Sequence, residues 1–318
     1  MAWWKIGAFV GFVTAAVLRR LLRNSRLCPS KTQMNGKTVI ITGANCGIGK
    51  ATALELARRN ARIILACRNL ASAAETAKQI CRSTGNTEII PRALDLSSIK
   101  SIREFSQEIL SEEHRIDVLV NNAGVFQCPY SKTEDGFEMQ MGVNHFGHFL
   151  LTSLLTERLK QSAPSRIVIV SSALSKRGSI NFDDIHSEKS YNKMKAYADS
   201  KLANLMFTKE LSKRLDGSGV SVLALHPGMV ATDIARHVVS RVTAKLFSPI
   251  VVALGLRDAS EGCQPVVYCA SAEELKGCSG VYISKLCKEC EFPSSACDEE
   301  QAKKLWDISE QLTKTKFP

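Results

Sequence analysis

The chain has 318 residues, of which 45% are apolar and 23% charged. That length and apolar share are enough for one large domain or two smaller ones, and they exclude an extended disordered chain. The formal charge of +11 is unevenly placed: Lys5, Arg19, Arg20, Arg23, Arg26, Lys31, Lys37 and Lys50 all precede the first acidic residue, Glu55. This pattern fits a membrane-flanking segment better than a nucleic-acid surface, and neither zinc-finger spacing nor aromatic-basic interleaving is present, so no nucleic-acid partner is expected.

Trp3 and Trp4 open an apolar run, Ile6–Leu18, that the arginines follow. A full span needs about 20 apolar residues. The run is short for that, and residues 1–26 read as an uncleaved anchor that spans the membrane or lies in its interface, with the tryptophans at headgroup level. The arginines would keep the remainder on the cytosolic side. A mitochondrial presequence is the alternative for an arginine-rich start without acids.

Lys37–Thr42 is a β-branched run of strand length, followed by Gly43-Ala44-Asn45-Cys46-Gly47-Ile48-Gly49 and a helix-forming stretch, Lys50–Arg59. Strand, glycine turn and helix in that order make a dinucleotide site: the bare backbone approaches the pyrophosphate, and the helix N-terminus meets its charge. Arg62–Cys67 reads as a second buried strand. Where an NAD site puts an acid for the ribose hydroxyls stands Arg68, which suits a 2′-phosphate and hence NADP(H). Leu70–Arg82 is helical, Ile89–Leu94 is a third strand ending in Asp95, Ile99–Leu110 is helical, and Ile116–Val120 is a fourth strand running into Asn121-Asn122-Ala123-Gly124.

Thr133–Lys160 reads as one long helix holding Gly142-Val143-Asn144-His145-Phe146-Gly147-His148. Glycines and polar residues inside a helix are locally unfavourable and predict a kink near Asn144. His145 and His148 lack an acidic partner and read as structural. Arg166–Val170 is a fifth strand, and the hydroxyls of Ser171-Ser172 at its carboxyl end lie at the crevice of an open sheet. Asn192–Leu215 is a helix carrying Ala196–Asn204, in which Tyr197 and Lys201 stand four residues apart on one face. A phenol titrates near pH 10, and an ammonium close by would lower that value and make the phenol a proton donor or acceptor near neutrality. Val220–Leu225 is a sixth strand, then comes the loop His226-Pro227-Gly228-Met229-Val230-Ala231-Thr232. Val242–Leu256 is apolar and reads as part of a substrate lid at about 230–260 that could touch membrane. Val281–Ser284 closes the sheet, and Asp298–Leu312 reads as a peripheral C-terminal helix within 291–318.

The 11 cysteines are scattered and odd in number, as in a reducing compartment. Cys287-x-x-Cys290, with Cys278 and Cys297 near it, lacks a second such pair or a histidine pair, so no metal is expected. Alternating strands and helices predict an α/β fold: a Rossmann-like, doubly wound parallel sheet of about seven strands with helices on both faces, in one domain over 37–290.

From Lys37 to Ser284 the motifs resemble the short-chain dehydrogenase/reductase family. The resemblance implies that Gly43, Asn45, Cys46, Gly47, Ile48 and Gly49 form the cofactor loop, with cysteine where serine or threonine is usual. It implies Asp95 on the adenine side, with Asn122, Ala123 and Gly124 steadying the central sheet. Asn144, Ser172, Tyr197 and Lys201 match the catalytic tetrad, with Ser172 also binding substrate, while Pro227, Gly228 and Thr232 match the loop that holds the nicotinamide carboxamide. Within the family the chain resembles the membrane-anchored retinol dehydrogenases, through Leu65-Ala66-Cys67-Arg68, Cys128–Thr133, Glu134–Glu138, Val143–Phe149 and Leu225–Gly228. That resemblance implies NADPH-dependent interconversion of retinal and retinol, or of other lipid-like aldehydes, at an endoplasmic reticulum surface, with Tyr197 as general acid and base. The partners implied are a small apolar aldehyde or alcohol, a membrane, and compatibly a second copy of the chain. Two other classes fit the same residues: a steroid or xenobiotic carbonyl reductase, and a dinucleotide-binding scaffold without turnover.

Overall fold

The computed structural model describes residues 27–230 and 257–318. The anchor expected at 1–26, Thr232 and the lid from 231 to 256 lie outside the described residues. No helix among the described residues is long and apolar enough to cross a membrane.

Strand and helix alternate as the β-branched runs and helix formers dictate. The order is β1 (Thr38–Thr42), α1 (Gly47–Ala57), β2 (Arg62–Cys67), α2 (Leu70–Thr84), β3 (Ile89–Ala93), α3 (Ile99–Glu112) and β4 (Val118–Asn121). Then follow α4 (Gly147–Gln161), β5 (Ser165–Val170), α5 (Lys193–Arg214), β6 (Val220–Leu225), α6 (Gln264–Ser271), β7 (Val281–Ile283), β8 (Glu289–Cys290) and α7 (Glu299–Thr313). Side-chain oxygens set several helix starts: Asn69 accepts from the Ser72 amide, Ser98 from that of Ser101, and Asn192 from those of Met194 and Lys195.

The sheet has eight strands in the order β3-β2-β1-β4-β5-β6-β7-β8, one more than the sequence predicts. The extra strand is the two-residue β8, which folds back antiparallel on β7 with Tyr282 opposite Cys290. It is too short to carry a hydrophobic period of its own. All other pairings are parallel, with Val39 against Ile63 on one side of β1 and Val118 on the other. The strand order reverses between β1 and β4, and an open α/β sheet holds its ligands in the crevice beyond the carboxyl ends at such a switch point. In β1, Val39 and Ile41 face one core cluster and Ile40 faces another, so the sheet is buried on both faces.

Two expectations are corrected. The stretch Thr133–Lys160 is not one helix: Lys132 pairs with Glu138 in a β-bridge, Met139–Met141 makes a single turn, and Gly142–Phe146 is a π turn before α4 begins. Glu138 starts the turn by accepting from the Gln140 and Met141 amides. The kink expected at Asn144 takes the form of this widened turn, in which the Gly147 amide bonds to the Gly142 carbonyl five residues back. The C-terminal helix is not peripheral, because Leu305 and Trp306 are buried, with Trp306 edge-on to Phe149 at 5.0 Å. None of the 11 cysteines forms a disulfide. Among the described residues no group of three or more metal-ligating side chains occurs.

Candidate active site

The glycine turn runs from the end of β1 into α1. Gly43 has φ +66°, a conformation that a side chain resists. A Cβ on Gly49 would lie 2.4 Å from the Gly43 carbonyl oxygen and 2.6 Å from Asn122 Nδ2, so the turn closes only on bare backbone. Cys46 stands at the N-cap of α1 in extended conformation, and its side chain makes no cap bond. Asn45 Nδ2 donates to Ser72 Oγ at 3.2 Å, and Ile48 packs on the core.

A second loop, after β4, is tied to this turn. Asn122 Nδ2 donates to the Thr42 carbonyl at 2.8 Å. The Asn122 and Ala123 amides both donate to Thr42 Oγ1 at 2.9 Å. Thr42 in turn lies 2.9 Å from His148 Nε2, and His148 Nδ1 lies 3.0 Å from the Asn144 carbonyl. A carbonyl only accepts, so Nδ1 carries the ring proton and Nε2 accepts from Thr42. Burial pushes His148 down to about 3, the Asn144 carbonyl working against that shift, so the ring stays neutral. This link joins the glycine turn to the π turn, and the sequence alone gave no sign of it.

Arg68 follows β2 and Asp95 follows β3, where β2 and β3 run parallel side by side. Their side chains approach to 4.0 Å with the Arg68 side chain 68% exposed. Asp95 Oδ1 accepts from the Ser97 amide and hydroxyl at 2.9 and 2.7 Å. An exposed arginine at the rim of a bare-backbone turn has the chemistry a 2′-phosphate needs.

The four tetrad positions converge at the crevice. Asn144, in the π turn, grips Val125 twice: its Oδ1 accepts from the Val125 amide at 2.8 Å, and its Nδ2 donates to the Val125 carbonyl at 3.0 Å. Nδ2 also donates to Ser200 Oγ at 2.9 Å, which fixes the turn against α5. Ser171 points away, giving its hydroxyl proton to the Lys201 carbonyl at 2.8 Å. Ser172 instead sits near the Tyr197 hydroxyl, where it favours the phenolate, and it caps the short 3₁₀ turn behind it by accepting from the Leu174 amide at 3.2 Å. Lys201 Nζ donates to the Val170 carbonyl at 3.0 Å and lies 5.7 Å from the centre of the Tyr197 ring. Space beside Gly124 is tight, since a Cβ there would come within 3.1 Å of Asn144 Oδ1 and 3.6 Å of Lys201 Nζ.

The electrostatics correct one expectation. Lys201 does not bring the phenol down: burial pushes Tyr197 up to about 12, and nearby Ser172 offsets only part of that. Burial likewise pushes Lys201 down to about 8. Both groups sit in a low-dielectric pocket, where loss of hydration outweighs a cation held by the Val170 carbonyl. At neutral pH the phenol keeps its proton.

Pro227 and Gly228 follow β6, held by the His226 amide donating to the Ile283 carbonyl at 3.0 Å. Gly228 has φ +81°. Burial, then the cations Lys285, Lys176 and Arg257, push His226 down to about 4.

The short chain dehydrogenase family model matches residues 37–242. Human retinol dehydrogenase 14 is 54% identical over 292 residues, covering 88% of this chain and 87% of its own length. Human retinol dehydrogenase 13 is 50% identical over 308 residues, covering 96% and 92%. Among solved structures, a protein of Mycobacterium Paratuberculosis superposes with a TM-score of 0.73 at 36% identity over 90% of this chain and 97% of that one. A structure from Beutenbergia cavernae with bound NADP (low occupancy) gives 0.63 at 25% identity, covering 80% and 96%. A chain whose glycine turn, switch-point crevice and Ser172-Tyr197-Lys201 cluster lie within that match belongs to the short-chain dehydrogenase/reductase family, in the retinol dehydrogenase group.

Proposed function

We propose that the chain is an NADP(H)-dependent oxidoreductase that interconverts retinal and retinol, with reduction of the aldehyde favoured, and that accepts related apolar aldehydes. The observation that carries this reading is the Tyr197 side chain, buried, near Ser172 and one helical turn from Lys201, in a chain half identical to retinol dehydrogenases. Arg68 supports NADP(H) over NAD(H), since its exposed guanidinium can take a 2′-phosphate. Gly43, Asn45, Cys46, Gly47, Ile48 and Gly49 would hold the pyrophosphate, Asp95 the adenine, Asn122, Ala123 and Gly124 the floor, and Pro227, Gly228 and Thr232 the carboxamide.

The nicotinamide, when bound, supplies the hydride that the carbonyl carbon receives. The chain supplies the rest. Ser172 and Tyr197 donate hydrogen bonds to the carbonyl oxygen and fix its position. As negative charge develops there, Tyr197 hands over its Oη proton. With the phenol pushed up to about 12, Tyr197 is protonated at neutral pH, the form in which it can serve as the acid. Lys201 would bind ribose hydroxyls and return a proton to Tyr197, and its descent to about 8 makes the ammonium a willing donor. Asn144 keeps Val125 and α5 in place around it.

We further propose that residues 1–26 anchor the domain of residues 37–290 to the endoplasmic reticulum with the catalytic part in the cytosol, a mitochondrial membrane being the alternative site. Extraction of the full-length protein by carbonate would refute the anchor. Tyr197→Phe tests the chemistry. NADPH affinity should stay within about twofold while turnover of all-trans-retinal falls by at least about a hundredfold, the low end of general-acid contributions. Turnover retained in this variant would remove Tyr197 as the acid.

A further inference from the structure

The loop after Gly124 carries a strained residue next to the reacting phenol. Gln127 has φ +49°, in the left-handed region that a long side chain avoids. Such conformations are costly and persist where their surroundings over-determine them. Here they do. Asn144 grips Val125 through both of its backbone groups. Gln140, fully buried, accepts from the Gln127 amide at 2.9 Å, and its Nε2 donates to Tyr191 Oη and the Lys193 carbonyl, each at 2.9 Å. Tyr191 passes the tie on, donating to the Cys128 carbonyl at 2.8 Å. Residues 125, 127 and 128 are therefore fixed by groups from the π-turn region and from the start of α5.

The residue left between these staples is Phe126. Its ring meets the Tyr197 ring edge to face, at 4.6 Å between centres and 78° between planes. Met194, Tyr197 and Lys201 share one face of α5 at helical spacing. Lys201 marks the cofactor end of that face, beside Gly124 and Asn144. Phe126 belongs to the other end, since its neighbour Gln127 donates to Met194 Sδ at 3.4 Å. That end is open, with Met194 37% and Tyr130 42% exposed.

We infer that Phe126 is a specificity-determining residue: a rigid aromatic wall beside Tyr197 along which a flat, conjugated aldehyde lies in preference to a saturated chain of the same reach. The inference rests on the carbonyl-reducing role proposed above. A wall already fixed in place spares the ordering cost that a mobile side chain would add on binding. A ring contact of this kind contributes about 0.5–1.5 kcal/mol beyond area, a factor of roughly two to ten.

The test uses full-length protein in detergent with NADPH, all-trans-retinal and decanal, comparing wild type with Phe126→Ala and Phe126→Leu. The ratio of kcat/KM for retinal to that for decanal should fall about five- to tenfold in Phe126→Ala and by less in Phe126→Leu, with the KM for NADPH unchanged. Wild type active on both aldehydes, with variants losing both equally or keeping the wild-type ratio, overturns the wall and leaves the reductase standing. Wild type that consumes NADPH with neither aldehyde overturns the reductase, and the wall falls with it. Should Phe126→Ala fail to fold, Phe126→Leu carries the comparison alone.

Discussion

Two buried histidines predict a steep loss of stability in mild acid. His145 donates from Nε2 to Ser309 Oγ at 3.0 Å, because Ser309 has already given its own proton to the Leu305 carbonyl. Its Nδ1 has no hydrogen-bond partner, and the ring packs among Phe146, Phe149 and Phe207. Burial pushes it down to about 4. His148, pushed down to about 3, can take a second proton only by turning away the Thr42 hydroxyl. In the unfolded chain both titrate near 6.5. The sign follows from linkage. Below about pH 6.5 the unfolded state binds protons that these rings refuse in the folded state, so stability is full above that pH and drains as pH falls. From pH 7 to pH 5 the loss is about 2 kcal/mol for each ring and about 4 kcal/mol together, a large share of the ~5–15 kcal/mol of a typical domain. The buried carboxyls Glu138 and Asp199 are pushed up by burial and oppose this trend at the acid end. Equilibrium urea unfolding at pH 7, 6 and 5 measures the loss. His145→Phe should reduce it by about 2 kcal/mol, since one proton site is gone, while His148 and His226, the latter also pushed down to about 4, keep theirs. A loss below about 1 kcal/mol in the wild type, or an undiminished one in His145→Phe, would show that these rings are not the acid-sensitive element.

Other perturbations have equally definite outcomes. Gly49→Ala drives a Cβ into the Gly43 carbonyl and Asn122, so dinucleotide affinity should fall at least about tenfold and stability by about 1–3 kcal/mol. Isothermal titration with NADPH and thermal unfolding read the two effects. Arg68→Asp should move the ratio of NADPH to NADH use towards NADH, and an unchanged ratio would detach Arg68 from the 2′-phosphate. Asp117 is buried against Arg115 at 2.5 Å, Lys37 at 2.9 Å and the Thr38 amide at 2.9 Å. Burial pushes its carboxyl up, but these partners outweigh burial and hold it below the usual range. Its stabilisation is present above about pH 4 and is lost as pH falls through the depressed value, so Asp117→Asn should cost about 2 kcal/mol at pH 7, by urea unfolding, and less below pH 3.

The sheet could be read from the chain because its central strands carry unbroken apolar runs: Val39-Ile40-Ile41, Ile63-Ile64-Leu65 and Ile167-Val168-Ile169 are buried on both faces. The tetrad and glycine positions were legible for another reason, a resemblance carried by short motifs at fixed spacing. The ties between them were not. The bonds from His148 to Thr42, from Gln140 to Gln127 and from Tyr191 to Cys128 span 13 to 106 residues, and no local pattern encodes them. Nor could spacing reveal the sign of the Tyr197 shift. Four residues on a helix bring a cation near, but only the packed structure shows how much water both groups have lost. Trp306 was missed because the polar residues along the rest of α7 mask one buried seam.

The π turn at Gly142–Phe146 means that the helical path through this region contains one residue more than a regular ladder needs. Removing any single residue there would restore an ordinary coil and rotate what lies upstream by roughly 100° against what lies downstream. Gln140 and Asn144 would swing off the loop they hold, or Phe149 and Leu155 would leave the core. The segment is thus a locked reading frame, whose length can change only at the expense of the active site or of the fold.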